Sequence, residues 1–231
     1  MTQGEIGFAL QNSMQIIFRK HGINRPVATI VTQVVVDKND PAFQHPTKPI
    51  GPFYSKETAE RKRKELGWSI IEDAARGYRR VVASPLPKDI VELEVIKGCL
   101  ERDIVVVAVG GGGIPVTFQD SELKGIEAVI DKDRASALLA AKLGIEHFII
   151  STEVSEVYIN YKRPNQQKLR SITMVEAKKH SADGQFSEGS MKPKIEAAMD
   201  FLNSGGKMVT ITDPEHLIAA LDGEAGTRIT K

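Results

Sequence analysis

Cysteine, aromatic residues and long apolar runs are all scarce in this sequence of 231 residues. Cys99 is the single cysteine, which excludes an internal disulfide and a multi-cysteine metal site and is typical of a reducing compartment. The densest apolar run, Ile104–Val109, is far shorter than the roughly 18 residues that a membrane span requires. The sequence therefore predicts a cytoplasmic protein with no membrane partner.

The charge is also nearly balanced, because 31 basic and 30 acidic residues leave a formal net charge of +1. A net charge this small creates no overall electrostatic attraction to nucleic acid. We therefore expect no nucleic-acid partner, and any anion site should be local. With 41% hydrophobic and 26% charged residues, the composition is that of an ordinary globular domain. The five histidines show no paired metal spacing, and no protein metal site is predicted.

Strand-like and helical segments alternate along the chain. Four β-branched runs are predicted as buried strands: Val27–Val36, Ile104–Val109, Phe148–Ser151 and Met208–Thr212. Helical patterns follow at Asp89–Arg102, Asp133–Leu143, Pro193–Asn203 and Pro214–Leu221. An amphipathic helix opens the chain, with apolar residues at Ile6, Leu10, Met14 and Ile17. The alternation predicts an α/β fold with a mostly parallel sheet, forming one domain over residues 1–231.

Residues 37–87 interrupt this alternation with six prolines and a charged helix near Lys56–Leu66. The segment is too long for a simple connection, so we expect a small subdomain inserted in the domain. Within it, the rigid run Pro46–Pro52 projects Lys48, although an ordinary surface loop is the alternative. The helix carries both signs of charge, which favours a solvated face over a polyanion site.

Three motifs are candidates for chemistry. The glycines Gly110–Gly113 follow a strand, where backbone N–H groups can approach a ligand, although a tight turn explains such a run equally well. The Asp-Lys-Asp segment Asp131–Asp133 precedes a helix, and the alternative is that both aspartates are helix caps. The Lys-Pro-Lys segment Lys192–Lys194 lies at a predicted helix start, where lysine opposes the helix dipole unless it holds an anion.

Together these motifs suggest phosphoryl transfer to an acceptor that is already an anion. Such an acceptor needs no deprotonation, and no obvious general base is present. Separated lysines would offset the repulsion between two negative reactants and align them for transfer. Motifs of hydrolases and metalloenzymes are absent from the sequence.

A set of ordered segments extends the evidence over nearly the whole chain: MTQGEIGFALQN, VATIVTQVVVD, PTKPIGPF, EDAARGYRRVV, SPLPKDIVE, VAVGGGGIPV, ELKGIEAVIDKD, YINYKRPNQ, GSMKPKIEAA and GTRI. In this order they closely resemble the carbamate kinases of the amino-acid kinase superfamily. The resemblance implies a three-layer α/β/α sandwich with a mainly parallel sheet, a protruding subdomain at residues 37–87 and usually a homodimer. It also implies reversible phosphoryl transfer between ATP and carbamate, giving ADP and carbamoyl phosphate with Mg²⁺, in arginine breakdown toward ATP.

The resemblance further implies roles for individual residues. Lys132 and Lys194 would bind the nucleotide and neutralise the transferred phosphoryl group, and Asp133 would orient them. Lys48 would reach the carbamate or its phosphate, while Gly110–Gly113 would lie near the nucleotide. Because neither Lys132 nor Lys194 lies in an apolar stripe, we expect that replacing either abolishes transfer and barely disturbs folding.

Two departures from the family pattern define the alternative function. The family's Gly-Gly-Asn turn and His-Gly-Asn-Gly-Pro segment, which hold phosphates and carbamate, are absent from this sequence, and Ser155 stands where many relatives have aspartate. The alternative is an N-terminally truncated, catalytically impaired remnant or partner subunit, expected to bind ADP but to transfer slowly. A relative that acts on another small acid is disfavoured by the PTKPIGPF segment.

Overall fold

A computed structural model describes residues 2–73, 76–120 and 122–231 as a mixed α/β structure. Its helices are α1 (Thr2–Lys20), α2 (Lys56–Leu66), α3 (Leu93–Glu101), α4 (Lys132–Lys142), α5 (Met174–Ala182), α6 (Met191–Asn203) and α7 (Leu217–Asp222). Its strands are β1 (Val27–Thr29), β2 (Gln33–Val36), β3 (Lys48–Tyr54), β4 (Ile70–Glu72), β5 (Tyr78–Val82), β6 (Pro87–Ile90), β7 (Val105–Val107), β8 (Ile114–Gln119), β9 (Glu122–Gly125), β10 (His147–Ser151), β11 (Val157–Ile159), β12 (Gln167–Leu169), β13 (Ser171–Thr173), β14 (Met208–Thr212) and β15 (Thr227–Thr230). The predicted α/β class is confirmed. Among the described residues, no helix is both long enough and apolar enough to cross a membrane.

The chain divides into two compact units, Met1–Lys132 and Asp133–Lys231. In the first unit the strand orders are β1-β7, β6-β2-β8-β9 and β3-β5-β4, and in the second they are β10-β14-β15-β13 and β11-β12. Parallel pairing joins β1 to β7, β2 to β8, β10 to β14 and β13 to β15. The other described pairings are antiparallel.

The run Val27–Val36, predicted as one strand, forms the two strands β1 and β2. β1 pairs with β7, whereas β2 pairs with β6 and β8. Between them, the side-chain amide of Gln3 accepts from the N–H of Thr32 at 3.0 Å and donates to its carbonyl at 3.1 Å. The prediction of one continuous strand is therefore wrong. Thr32, between the two strands, bonds through both backbone groups to a side chain of α1, and its carbonyl also accepts from the N–H of Ile114 at 2.8 Å.

Hydrogen bonds join α1 to β1. The Gln11 side chain accepts from the N–H of Thr29 at 2.8 Å, and Thr29 Oγ1 donates to the carbonyl of Gly7 at 2.9 Å. The apolar residues of the predicted amphipathic face remain largely exposed, as Ile6 and Ile17 illustrate at 53% each. Polar contacts, and not the apolar stripe, therefore connect this helix to the strand.

The segment 37–87 contains its own antiparallel sheet, β3-β5-β4, together with α2. Ser55 caps α2 because its Oγ accepts from the N–H of Thr58 at 3.3 Å, and the helix ends at Gly67, whose φ is +65°. The bounds of α2 are those predicted from the sequence. Residues 74 and 75 of the segment lie outside the described residues, and its status as a protruding subdomain stays a prediction.

Three predicted helix starts are wrong by two residues or more, and one of these is the helix predicted from Pro214, which begins at Leu217 as α7. The pattern predicts a helix from Asp89, but Pro87–Ile90 forms β6 against β2, and α3 begins at Leu93. Strand pairing with β2 overrides the local helical pattern there. Similarly, α6 begins at Met191, so that Pro193 is its third residue. A proline is tolerated there because the N–H groups of the first helical turn have no partner within the helix.

The core of the second unit forms where α6 packs against β14. Ile195 and Phe201 of α6 and Val209 and Ile211 of β14 are fully buried. Burying a side chain of this size contributes about 1.5–3 kcal/mol. Apolar packing therefore fixes the position of α6, the helix that carries Lys194.

Burial alters the acid–base behaviour of His147. This residue lies in β10, and its Nε2 is 2.8 Å from Thr210 Oγ1 on the neighbouring strand β14. Burial lowers the pKa of His147 below its ordinary value of 6.5, and the charge of Arg228 lowers this pKa further. The folded protein therefore favours the neutral imidazole.

We expect the free energy of unfolding to decrease as the pH falls through 6.5, the ordinary pKa of His147. The unfolded chain takes up the proton at a higher pH than the folded chain, so protonation favours unfolding until the folded pKa is also passed. His147→Gln should remove this contribution. Urea unfolding of both proteins between about pH 8 and about pH 5 measures the difference. Parallel curves for the two proteins would show that His147 makes no such contribution.

Candidate active site

The Asp131–Asp133 segment combines two buried carboxylates with an exposed ammonium. Asp131 and Asp133 are 6% and 8% exposed, whereas Lys132, the first residue of α4, is exposed. Burying an ionised carboxylate costs several kcal/mol unless a cation pairs with it. Each aspartate therefore needs a cationic partner.

Lys48 pairs with Asp131 in the first unit. Lys48 Nζ donates to Asp131 Oδ2 over 2.5 Å, and the side chain of Lys48 remains 30% exposed. Lys48 begins β3, where it lies opposite Val82 of β5. Because an ammonium group has three donors, the bond to Asp131 occupies one of them.

Lys194 pairs with Asp133 in the second unit. Its Nζ donates to Asp133 Oδ2 over 2.9 Å, and both side chains are 10% exposed. Removing one partner of a buried pair leaves an uncompensated charge and commonly costs about 3–5 kcal/mol. We therefore revise the expectation that replacing Lys194 barely disturbs folding, since Asp133 would lose this cation.

A second ion pair joins α4 to α6. Arg134 Nη2 lies 2.5 Å from Glu196 Oε2, and Arg134 Nη1 lies 3.9 Å from Asp200 Oδ2. Burial raises the pKa of Asp200; the charge of Arg134 opposes this rise, and the charge of Glu196 adds to it. Arg134 follows Asp133, and Glu196 lies two residues after Lys194, so the same helices are joined twice. Sequence reasoning missed this pair because neither Arg134 nor Glu196 was considered as a candidate site residue.

The glycine loop (Gly110–Gly113) packs tightly against neighbouring atoms. At Gly112, where φ is +99°, an added Cβ would lie 2.2 Å from the carbonyl oxygen of Ile130. At Gly113, where φ is +82°, it would lie 2.3 Å from Cγ2 of Val34. The tight-turn alternative therefore accounts for Gly112 and Gly113 without any ligand.

Thr32 anchors the start of the glycine loop. Its buried hydroxyl accepts from the N–H of Val109 at 2.9 Å. Val109 has a φ of +49°, a conformation that costs a β-branched residue about 1–3 kcal/mol. Beyond it, Gly110 and Gly111 are exposed, and their approach to a nucleotide stays a prediction.

Ser155, which the resemblance marks as a departure from the family pattern, contacts a buried carboxylate. Its Oγ donates to Glu156 Oε2 over 2.5 Å. This bond lowers the pKa of Glu156; burial opposes the effect, and the charges of Lys168 and Arg170 add to it. The hydroxyl group at this position therefore helps to keep a buried glutamate ionised.

The predicted site residues thus lie in two lysine–aspartate pairs. The first unit holds Lys48 with Asp131, and the second holds Lys194 with Asp133. Asp133 lies inside the first turn of α4, so it is not the cap of that helix, whereas Asp131 directly precedes the helix. Sequence reasoning considered Asp131 only as a cap and missed its bond to Lys48. The catalytic and binding roles of Lys48, Lys132, Asp133 and Lys194 stay predictions.

Comparison with known proteins relates this arrangement to a family. The pattern of the amino acid kinase family matches residues 28–213. The chain belongs to the amino acid kinase family. Within it, the carbamate kinase of Thermococcus kodakarensis is 48% identical over all of this chain and 73% of that protein, and the carbamate kinase of Clostridium perfringens is 49% identical over all of this chain and 74% of that protein.

A solved structure supports the same relationship. The carbamate kinase from Giardia lamblia bound to AMP-PNP has a TM-score of 0.90 and 41% sequence identity to this chain. The match covers 100% of this chain and 73% of that one. The resemblance to carbamate kinases, and the shared fold, are confirmed.

Gly112→Ala should destabilise the first unit more than Gly111→Ala does. The Cβ at Gly112 meets the backbone at 2.2 Å, whereas a Cβ at Gly111, where φ is +67°, meets nothing within 4 Å. We expect a loss of roughly 3–5 kcal/mol for Gly112→Ala and about 1–2 kcal/mol, from backbone strain alone, for Gly111→Ala. Urea unfolding of the two variants measures both losses, and equal losses would contradict the packing argument.

Proposed function

We propose that the protein catalyses reversible phosphoryl transfer between ATP and carbamate, giving ADP and carbamoyl phosphate. The observation that carries this proposal is the similarity to carbamate kinases, which are 46–49% identical over the whole of this chain. Similarity of this extent favours a working phosphotransferase over the impaired remnant or partner subunit.

The proposed chemistry needs charge compensation more than proton transfer. Toward ATP, the bond between phosphorus and the carbamate oxygen breaks, and a bond forms between phosphorus and a terminal phosphate oxygen of ADP. The carbamate leaves as an anion, and ADP attacks as one, so no general base is required. Positively charged groups that are fixed in advance stabilise the charge on the transferred group.

Three lysines supply this charge in the proposal. Lys132 and Lys194 would neutralise the transferred phosphoryl group, and the buried contact between Lys194 Nζ and Asp133 supports a fixed position for one of them. Lys48 would bind the carbamate side of the substrate. Backbone N–H groups of the exposed residues Gly110 and Gly111 would approach the nucleotide.

Mg²⁺ is the metal that this reaction implies. Within the described residues, no group of three or more His, Cys, Asp and Glu side chains is arranged to hold a metal ion. Mg²⁺ commonly binds one or two carboxylates together with substrate phosphates, and it neutralises part of their charge. The residues present therefore fit a metal that arrives with the nucleotide and is held mainly by its phosphates.

The cellular setting follows from the same proposal. We propose a cytoplasmic enzyme of arginine breakdown that acts as a homodimer on small-molecule substrates without nucleic acid or membrane partners. A single cysteine and a net charge of +1 support this setting, and the homodimer rests on the resemblance to carbamate kinases.

A coupled assay of ATP formation from ADP and carbamoyl phosphate tests the proposed function directly. Acetyl phosphate in place of carbamoyl phosphate tests the alternative that another small acid is the substrate. Calorimetric titration with ADP and Mg²⁺ on the same preparation separates binding from transfer. Transfer that depends on carbamoyl phosphate supports the proposal, whereas ADP binding with no transfer would favour the impaired remnant.

Lys132→Met should lower the rate of transfer by about 100- to 1000-fold with little change in melting temperature, because Lys132 is exposed. Lys194→Met should lower the rate by a similar factor and also the melting temperature, since it removes the buried cation that pairs with Asp133. The coupled assay and thermal unfolding measure the two effects.

The control is Lys207→Met, which removes an exposed lysine whose side chain is 69% accessible, and which should change neither quantity. If the rate of transfer falls less than tenfold in Lys132→Met or Lys194→Met, that lysine does not have the proposed catalytic role.

Lys48→Ala should weaken the use of carbamoyl phosphate more than the binding of ADP, because Lys48 belongs to β3 of the inserted segment and is assigned to the carbamate side. We expect the KM for carbamoyl phosphate to rise by about tenfold or more, with a smaller change in the Kd of ADP. Kinetics at saturating ADP and calorimetric titration measure these quantities. Equal weakening of both ligands would contradict the assignment.

A further inference from the structure

We propose that Asp131 is a positioning residue for Lys48. Its carboxylate holds the ammonium group of Lys48 at one place, from which the remaining donors of that group bind the phosphate or carbamate of the substrate. The inference rests on the proposed function, which assigns Lys48 to the carbamate side. Asp131 itself is not assigned a contact with the reacting atoms.

The distance and burial of the Lys48–Asp131 pair distinguish it from a surface ion pair. Lys48 Nζ and Asp131 Oδ2 are 2.5 Å apart, and the side chain of Asp131 is 9% exposed. The pair of Lys207 with Glu146 has the same 2.5 Å separation, but its side chains are 69% and 68% exposed. Surface pairs of that kind hold their partners weakly, whereas a buried carboxylate depends on its cation. The burial of Asp131 therefore favours a fixed position for the ammonium group of Lys48.

The backbone of Lys48 is fixed independently of Asp131. Lys48 lies opposite Val82 of β5, and Pro49 pairs in register with Val81. A proline also restricts the residue before it to an extended backbone, as β3 requires. The flexible part is the four-carbon side chain, whose free end would otherwise sample many rotamers. Asp131 anchors that free end, so both ends of the lysine are fixed.

The pair leaves Lys48 able to bind a second anion. The bond to Asp131 occupies one of the three ammonium donors, and the side chain of Lys48 is 30% exposed. Asp131 adjoins Lys132, which is also exposed. A fixed Lys48 would therefore meet an incoming anion without first losing rotamer freedom, which is the advantage of a group positioned in advance.

Asp131→Asn tests this role because it keeps an acceptor oxygen and removes the charge that holds Lys48. We expect the KM for carbamoyl phosphate to rise by about tenfold or more, while the KM for ADP changes by less than about twofold. Glu146→Gln, which removes the charge of the exposed pair, should change neither KM. A rise in both KM values by the same factor would overturn the positioning role.

A double-substitution cycle asks whether Asp131 acts through Lys48. In the Lys48→Ala background, Asp131→Asn should change the KM for carbamoyl phosphate by less than about twofold, because the group that Asp131 positions is already absent. If Asp131→Asn raises the KM for carbamoyl phosphate by the same factor in the wild-type protein and in Lys48→Ala, Asp131 does not act through Lys48, and the inference is overturned.

Chemical labelling provides a readout that needs no activity. An amine-reactive ester followed by mass spectrometry reports how fast each lysine is acylated. Asp131→Asn should increase the labelling rate of Lys48 by about threefold or more and leave that of Lys207 unchanged. Unchanged labelling of Lys48 would overturn the inference, even if the wild-type protein transferred no phosphoryl group and the proposed function itself failed.

Asp131→Glu provides a second variant if Asp131→Asn does not fold. It retains the charge and displaces it by one methylene group. Labelling of Lys48 should stay within about twofold of the wild-type rate, while the KM for carbamoyl phosphate rises and the KM for ADP does not. If the labelling rate of Lys48 in Asp131→Glu rises about threefold or more, as expected for Asp131→Asn, the carboxylate does not hold Lys48 as proposed.

Discussion

The burial of two carboxylates that are separated in sequence by one residue is the constraint on which both lysine–aspartate pairs depend. Asp131 and Asp133 are 6% and 8% exposed, and a buried carboxylate is stable only with a cation beside it. Each aspartate therefore binds a lysine from another part of the chain, Lys48 in the first unit and Lys194 in the second. Lys132, between the aspartates, stays exposed.

The secondary structure around each lysine makes this pairing possible. Lys48 begins a strand of the β3-β5-β4 sheet, and Lys194 lies in α6, whose residues Ile195 and Phe201 are buried in the core. Buried ion pairs contribute little net stability compared with apolar residues of the same size. The apolar core therefore stabilises the second unit, while the Lys194–Asp133 pair keeps a charge in a defined position. Such rigidity is suited to a reaction whose main difficulty is electrostatic repulsion.

Several features were predictable because their signals are local in sequence. Ser55 and Gly67 mark both ends of α2, and the β-branched run Met208–Thr212 forms β14 with the predicted bounds. The motifs around Lys48 and Lys194 are equally local, so the sequence suffices to name both lysines as candidates. The predicted strand over Val27–Val36 failed because its interruption depends on Gln3, a residue of another element.

The sequence by itself determined the α/β class, most element positions, the family and the identity of the candidate lysines, because propensity, periodicity and motif spacing act over a few residues. Only the tertiary structure decided which charges meet. Lys48 and Asp131 are 83 residues apart, and Arg134 and Glu196 are 62 apart. Opposite charges carry no periodic signal over such separations. Their partners become defined only when strand register and helix packing bring the side chains within a few ångströms of one another.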